Sequence, residues 1–156
     1  MLDYPSAIQI RALKESDFQQ WLSLWLGYNE FYGRHGETAL SDKTTLMTWS
    51  RFFDAAEPVH ALVASKDGKL VGLAHFLYHR STIQIGLSCY LQDVFTTVSA
   101  RGQGVARKLI EQVYVEAATA GSPRVYWQTH QTNTTAMQLY DKIAEKSGFL
   151  VYRKLL

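Results

Sequence analysis

A single cysteine, Cys89, stands in the 156 residues of this chain. One thiol excludes an internal disulfide framework and a cysteine-based zinc cluster, and it fits a reducing compartment, the cytoplasm. Charge of one sign is equally scarce. Lys plus Arg number 16 and Asp plus Glu 14, a net of +2. That balance gives no electrostatic case for nucleic acid or a membrane surface as partner. No stretch approaches the roughly 18 apolar residues of a membrane span. Met1-Leu2-Asp3-Tyr4-Pro5 carries an acid and no basic-then-apolar run, so no signal peptide is expected. Prolines number three, Pro5, Pro58 and Pro123, each where one element gives way to another. Repeats, low-complexity tracts and linkers are missing too. What is present, 47% hydrophobic and 19% charged residues, describes one compact domain over residues 1–156. At this length folding buries about 68–70% of the extended chain's surface, enough for a core without staples.

Periodicity orders the elements. Ile8-Gln9-Ile10-Arg11-Ala12 alternates and predicts a short strand. Ser16-Asp17-Phe18-Gln19 has the form of a capping box, and Phe18, Leu22, Trp25 and Tyr28–Tyr32 follow at helical spacing. A second helix is expected from Ser41, with Leu46, Trp49 and Phe53 on one face. Trp21, Trp25 and Trp49 read as core between these helices and a sheet. Val59–Ser65 and Leu70 to about Tyr78 flank Lys66-Asp67-Gly68-Lys69, a hairpin signal. From Ile83 to Leu91 the apolar residues fall on odd positions; past Asp93 they fall on even ones. A strand keeps one face only at period two, so a bulge is expected near Gln92–Phe95 unless the early part is loop. Val105, Leu109, Val113 and Ala117 stripe a long helix that Gly121 and Pro123 end. Arg124–Thr129 reads as a strand. Asn133 can cap a last helix carrying Ala136, Tyr140 and Ile143 and closing at Gly148, and Phe149–Leu155 reads as a final strand. The order β-α-α-β-β-β-α-β-α-β makes a mixed, mostly antiparallel α/β sheet flanked by helices.

The junction of the fourth strand with the long helix carries the chemistry. Gly102 and Gly104 let the backbone turn tightly and approach a ligand. The free N–H groups of Gln103 to Arg107 open a helix whose aligned dipoles favour an anion. Arg101 adds a planar donor fork suited to phosphate. A phosphate or pyrophosphate is the expected ligand; the plain alternative is a glycine turn that merely begins a helix. No Gly-Lys-Ser/Thr ends the pattern, so it is not a Walker loop, and a dinucleotide fingerprint wants a third glycine.

Arg101-Gly102-Gln103-Gly104-Val105-Ala106 after a strand resembles the acetyl-CoA-binding motif of the GNAT superfamily of N-acetyltransferases. Ser122-Pro123-Arg124-Val125-Tyr126-Trp127 is similar to that superfamily's next strand, and Asn133 to Tyr140, ending at Gly148-Phe149, to its Asn-x-x-Ala-x-x-x-Tyr helix and Gly-Phe turn. Tyr90 to Phe95 and Val125 to Trp127 carry a finer likeness to the yeast histone and polyamine acetyltransferases and to the spermidine/spermine acetyltransferases. The resemblance implies a cleft between splayed fourth and fifth strands, with acetyl-CoA as cosubstrate along Val94, Phe95 and Thr96. Its pyrophosphate would rest on Gly102, Gln103, Gly104, Val105, Ala106 and Arg107 beside Arg101. Asn133 would touch the coenzyme arm and Tyr140 would face the sulfur as general acid. A homodimer is also implied.

Amine attack on a thioester expels a thiolate, which a nearby phenol can protonate; the plain reading of Tyr140 is a core aromatic on its helix's apolar stripe. The amine must first lose a proton. Asp93, at the expected bulge, is the first candidate base, through water. Glu30, between Tyr28 and Tyr32, is the second, with a solvated helix-end carboxylate as its plain reading; these three residues would border the amine. Polyamine-directed relatives often carry an acid where this chain has Gln92, which weakens the case for a polycationic acceptor. His75 and His79, four apart on one strand face, are able to relay protons, and no third ligand makes them a metal site. A non-catalytic acyl-CoA sensor of the same fold, or a domain for another phosphate ligand, are the alternatives.

Overall fold

The alternation at Ile8–Ala12 becomes strand β1 (Gln9–Ala12) in a computed structural model that describes residues 6–156. Pro5 and the acidic opening segment read above lie outside the described residues. Strands β2 (Val59–Lys66) and β3 (Lys69–His79) meet at a two-residue turn in which Asp67 and Gly68 both take positive φ, 51° and 74°. A tight hairpin needs that backbone, since its twist matches the flanking strands. Strand β4 (Ser88–Thr96) follows β3, and β5 (Val125–Tyr126) runs parallel to β4. The sheet order is β1-β2-β3-β4-β5, and every neighbouring pair except the last is antiparallel.

Helices cover both faces. On one, α1 (Phe18–Phe31) and α2 (Asp42–Arg51) pack Trp21, Trp25 and Trp49 against Val63, Leu70 and Leu73. Trp21 lies 5.9 Å from Trp25 and 4.9 Å from Trp49, ring centre to ring centre. On the other, α3 (Val105–Thr119) and α4 (Thr134–Ile143) pack against Leu62, Ala74, Phe76 and Leu91. The α3 stripe of Val105, Leu109, Val113 and Ala117 is buried as its spacing requires. Each fully buried aliphatic side chain contributes about 1.5–3 kcal/mol relative to exposure. Gly72 lets α3 sit this close to β3. A Cβ there would fall 2.8 Å from Val105 Cγ1 and 2.9 Å from the Phe95 carbonyl oxygen.

The expected bulge forms. His75 pairs with Asp93 and Phe76 with Leu91, so Gln92 is the extra residue. Leu91 and Val94 thereby both face the α3 side, while Asp93 and Phe95 turn toward α1. The early odd-numbered pattern is loop as well, because β4 starts only at Ser88 and Ile83 and Ile85 project into solvent.

Elsewhere the architecture departs from expectation. Ser16 and Gln19 form no capping box. Asp17 takes the N-cap position, and its carboxylate accepts the Arg11 guanidinium at 2.7 and 2.9 Å and the Lys14 N–H at 2.9 Å. A charge-assisted fork outcompetes a hydroxyl at that position. Ser41 caps α2 as expected, accepting from the Thr44 N–H. Leu46, however, faces solvent, because α2 buries Thr45 and turns Trp49 and Phe52 inward. Strand β5 spans two residues rather than Arg124–Thr129, since only Cys89↔Val125 and Tyr90↔Tyr126 pair. Helix α4 ends at Ile143 rather than Gly148, and Phe149–Leu155 forms no strand. A strand needs a partner ladder, and β5 offers two residues of one. Phe149, Leu150, Val151 and Tyr152 are left exposed.

Candidate active site

Strands β4 and β5 pair at Cys89 and Tyr90 and no further, while β4 continues to Thr96. The backbone of β4 past Tyr90 therefore has no partner strand on that side. The gap opens into a cleft of about 560 Å³. One wall is Val94, Phe95 and Thr96 of β4; another is Asn133, Ala136, Leu139 and Tyr140 of α4. The floor is the glycine loop with the start of α3, and Tyr28, Phe31 and Tyr32 of α1 close the remaining side.

The loop has the backbone its glycines predict. Gly102 and Gly104 sit at φ 74° and 79°, in the left-handed region, and Gly104 is the N-cap of α3. No side chain caps that helix. The first intrahelical bond runs from the Lys108 N–H to the Gly104 carbonyl at 3.1 Å, so the N–H groups of Val105, Ala106 and Arg107 are unspent. An ideal Cβ on either glycine would meet no protein atom within 4 Å. Arg101 reaches across the turn, its Nε donating to the Thr96 carbonyl at 3.3 Å. The buried Thr96 hydroxyl on the cleft wall has no hydrogen-bond partner among the described residues. Unspent amides on a helix end, a nearby guanidinium and an apolar trough leading away from them suit a diphosphate joined to a long, thin arm.

Most of the residues expected at the coenzyme site line this cleft together. Val94, Phe95, Thr96, Arg101, Gly102, Gly104, Val105, Ala106, Arg107 and Asn133 all do. Gln103 does not; its amide accepts Lys66 Nζ at 2.8 Å and donates to the Ser99 carbonyl at 3.2 Å, which fastens the loop to the hairpin. Asn133 holds the N-cap position of α4, but its amide donates to Thr129 Oγ1 at 3.2 Å instead of capping. Tyr140 lines the cleft edge-on to Trp127, at 5.4 Å. Burial first, and Tyr32 second, raise its phenol above the usual range, so it stays protonated at neutral pH.

Asp93 is buried behind the α1 side of the cleft rather than on its wall. Its carboxylate lies 2.9 Å from His75 Nδ1, and His75 Nε2 lies 3.1 Å from Trp21 Nε1. An indole N–H only donates, so Nε2 is the acceptor and Nδ1 carries the proton toward Asp93. The chain Trp21–His75–Asp93 thus fixes the orientation of the imidazole and of the carboxylate. Tyr28 connects it to the cleft. Desolvation, then the Asp93 charge, push the Tyr28 phenol far above its ordinary range. Glu30 is exposed and does not line the cleft; its carbonyl accepts the Gly33 N–H. His79 belongs to a separate cluster, with Nε2 2.6 Å from the Tyr126 hydroxyl and Nδ1 2.8 Å from the Arg80 carbonyl. Sequence reasoning missed the Trp21–His75 bond, because an aromatic on a buried stripe gives no sign that its N–H is committed. It also missed Phe31 and Leu139, which line the cleft.

The domain is thus a three-layer α/β fold whose parted strands lead to a glycine-turned helix start. The profile of the Acetyltransferase (GNAT) family matches residues 18–144, and the chain belongs to that family. It is 33% identical over 149 residues to the D-amino-acid N-acetyltransferase HPA3 of Saccharomyces cerevisiae, covering 94% of this chain and 90% of that one. Over 109 residues it is 30% identical to the thialysine N-epsilon-acetyltransferase of Mus musculus, 60% of this chain and 62% of that one. The aminoglycoside acetyltransferase AAC(6')-Iy, solved with a bisubstrate analogue of coenzyme A, shares the fold at a TM-score of 0.80 and 20% identity, covering 97% of this chain and all (100%) of that one.

Proposed function

We propose that this protein is an acetyl-CoA-dependent N-acetyltransferase that moves the acetyl group directly onto a primary amine in a ternary complex. The observation that carries this reading is the cleft itself: parted strands, unspent N–H groups of Val105 to Arg107, and Tyr140 around one cavity. The diphosphate rests on the start of α3, and Arg101 adds charge beside it. The unpaired backbone of β4 near Val94 to Thr96 receives the arm by main-chain hydrogen bonds and polarises the thioester carbonyl.

The amine enters from the α1 side, between Tyr28 and Tyr32. It gives a proton to the Tyr28 oxygen as the Tyr28 proton passes to Asp93, which His75 holds in place. The nitrogen then attacks the thioester carbon, the carbon–sulfur bond breaks, Tyr140 protonates the departing sulfur, and the proton that the new amide nitrogen sheds restores the Tyr140 phenol. Holding both substrates in register supplies much of the acceleration, so a modest proton relay suffices. Calorimetry with acetyl-CoA, followed by coenzyme release over a panel of amines, tests the reading. Absence of binding heat sinks it.

The acetyl donor is a cosubstrate; among the described residues no three His, Cys, Asp or Glu side chains are grouped to hold a metal ion. The cytoplasm is the compartment that one buried thiol fits; no described helix is long and apolar enough to cross a membrane. A homodimer accounts for the exposed apolar residues Phe149 to Tyr152, which find no seat on their own domain. Light scattering that returns a monomer mass at micromolar concentration overturns that part.

A further inference from the structure

We propose that the amine accepted here carries a carboxylate, and that Arg34 is the residue that reads it. The inference rests on the acetyltransferase reading above and names its acceptor class. Arg34 lies just past the end of α1, and an unusual amount of structure is spent on holding it. Asn29 is buried in the helix, where an amide is ordinarily a poor choice. Its Nδ2 donates to the Trp25 carbonyl at 2.8 Å, and its Oδ1 accepts the Arg34 Nε–H at 2.6 Å. The Asn29 carbonyl also accepts the Arg34 backbone N–H at 2.9 Å. The guanidinium carbon then sits 5.6 Å from the ring centre of Tyr28 and 5.3 Å from that of Tyr32, the two tyrosines that wall the cleft on the α1 side.

A guanidinium has five N–H donors, and among the described residues only the Nε–H finds an acceptor. Among the described residues Arg34 forms no ion pair; the pairs that do form are Arg11–Asp17, Arg51–Glu57, His75–Asp93 and Arg107–Glu111. Glu30 and Glu37, its acidic neighbours in sequence, do not take it. Favourable placement at a helix C-terminus needs only a nearby positive charge. It does not need an oriented one, and a buried amide that fixes Nε is orientation. A planar fork held in one pose with its Nη groups unspent matches a carboxylate, two parallel bonds to two oxygens.

Charge points the same way. Arg34 lies behind the cleft lining, over Tyr28 and Tyr32, and its charge there disfavours the ammonium form of an amine held between them and so assists deprotonation. It also repels a polycation, in keeping with Gln92 where polyamine-directed relatives often carry an acid. A carboxylate on the same molecule as the amine offsets the repulsion and turns the cation into an anchor.

The test uses the full chain with acetyl-CoA and matched triplets: an amino acid in both enantiomers, its carboxamide, and the amine left by removing the carboxyl group. We expect kcat/KM for the acid to exceed that of both partners by roughly ten-fold or more, since an unpaired charged donor is costly. Arg34→Gln should bring that ratio toward one, and Arg34→Lys, which keeps charge but loses the fork, should leave an intermediate value. Equal rates across the wild-type triplets, or a ratio that survives Arg34→Gln in a variant of unchanged melting temperature, overturns the inference and leaves the acetyltransferase reading standing. Should Arg34→Gln unfold, the wild-type ratio still decides. Transfer to no amine at all removes both.

Discussion

Tyr140 keeps its proton because burial penalises the phenolate, with Tyr32 adding to the effect. On the proposed reading this phenol stands protonated at neutral pH, gives its proton to the departing sulfur and must regain one before the next turnover. Tyr140→Phe should therefore lower kcat by about 10²-fold while leaving acetyl-CoA affinity near its original value. Single-turnover kinetics alongside calorimetry separates the two, and unchanged turnover rejects the acid role. The residue type and its position were legible, because Asn133, Ala136 and Tyr140 share a spacing on one helix. The placement of the acidic side chains was not. Asp93 and Glu30 are both acids near aromatics in the sequence, and only the register of β4 on β3 brings His75 to Asp93 and leaves Glu30 in water. Arg34 was passed over for the same reason: Asn29 at i−5 says nothing until the helix end folds back.

At the scale of elements, the link from β4 to α3 is the part most completely written in the chain. Two glycines, a helix stripe beginning at Val105 and a basic residue at 101 specify a left-handed turn and an uncapped helix start, and the backbone has both. Gly104→Trp should abolish measurable acetyl-CoA binding. Its left-handed φ costs an L-residue about 1–2 kcal/mol. The larger effect is steric: no protein atom lies within 4 Å of a Cβ there, so the indole projects where the diphosphate would sit rather than into the core. Retained affinity would move the phosphate site elsewhere. The β4 bulge was equally legible, from the change of apolar phase across Gln92. The strand expected at Phe149–Leu155 was misread, because its composition suits a strand and composition carries no information about whether a partner edge exists.

For the whole molecule, the sheet buries titratable groups in their neutral forms, and this sets its response to alkali. Burial raises the Cys89 thiol to about 11 and the Tyr78 phenol to about 12, and also raises Tyr28 and Tyr140. In the unfolded chain these groups ionise near 9.0 and 10.0. Above those values the unfolded state binds fewer protons than the native one, so stability falls as pH rises. Urea midpoints should drop between pH about 8 and about 11; a constant midpoint contradicts the burial of these groups. What the sequence determined by itself was local: the hairpin at Asp67-Gly68, the helix stripes, the glycine turn, and through them the family. Periodicity and turn chemistry depend on neighbours a few residues apart. The tertiary structure alone decided which strands part to make a cleft, which carboxylate is buried against a histidine 18 residues away, and which arginine is left with unspent donors. Those outcomes depend on groups brought together across the sheet, where a single residue of register exchanges the face each side chain meets.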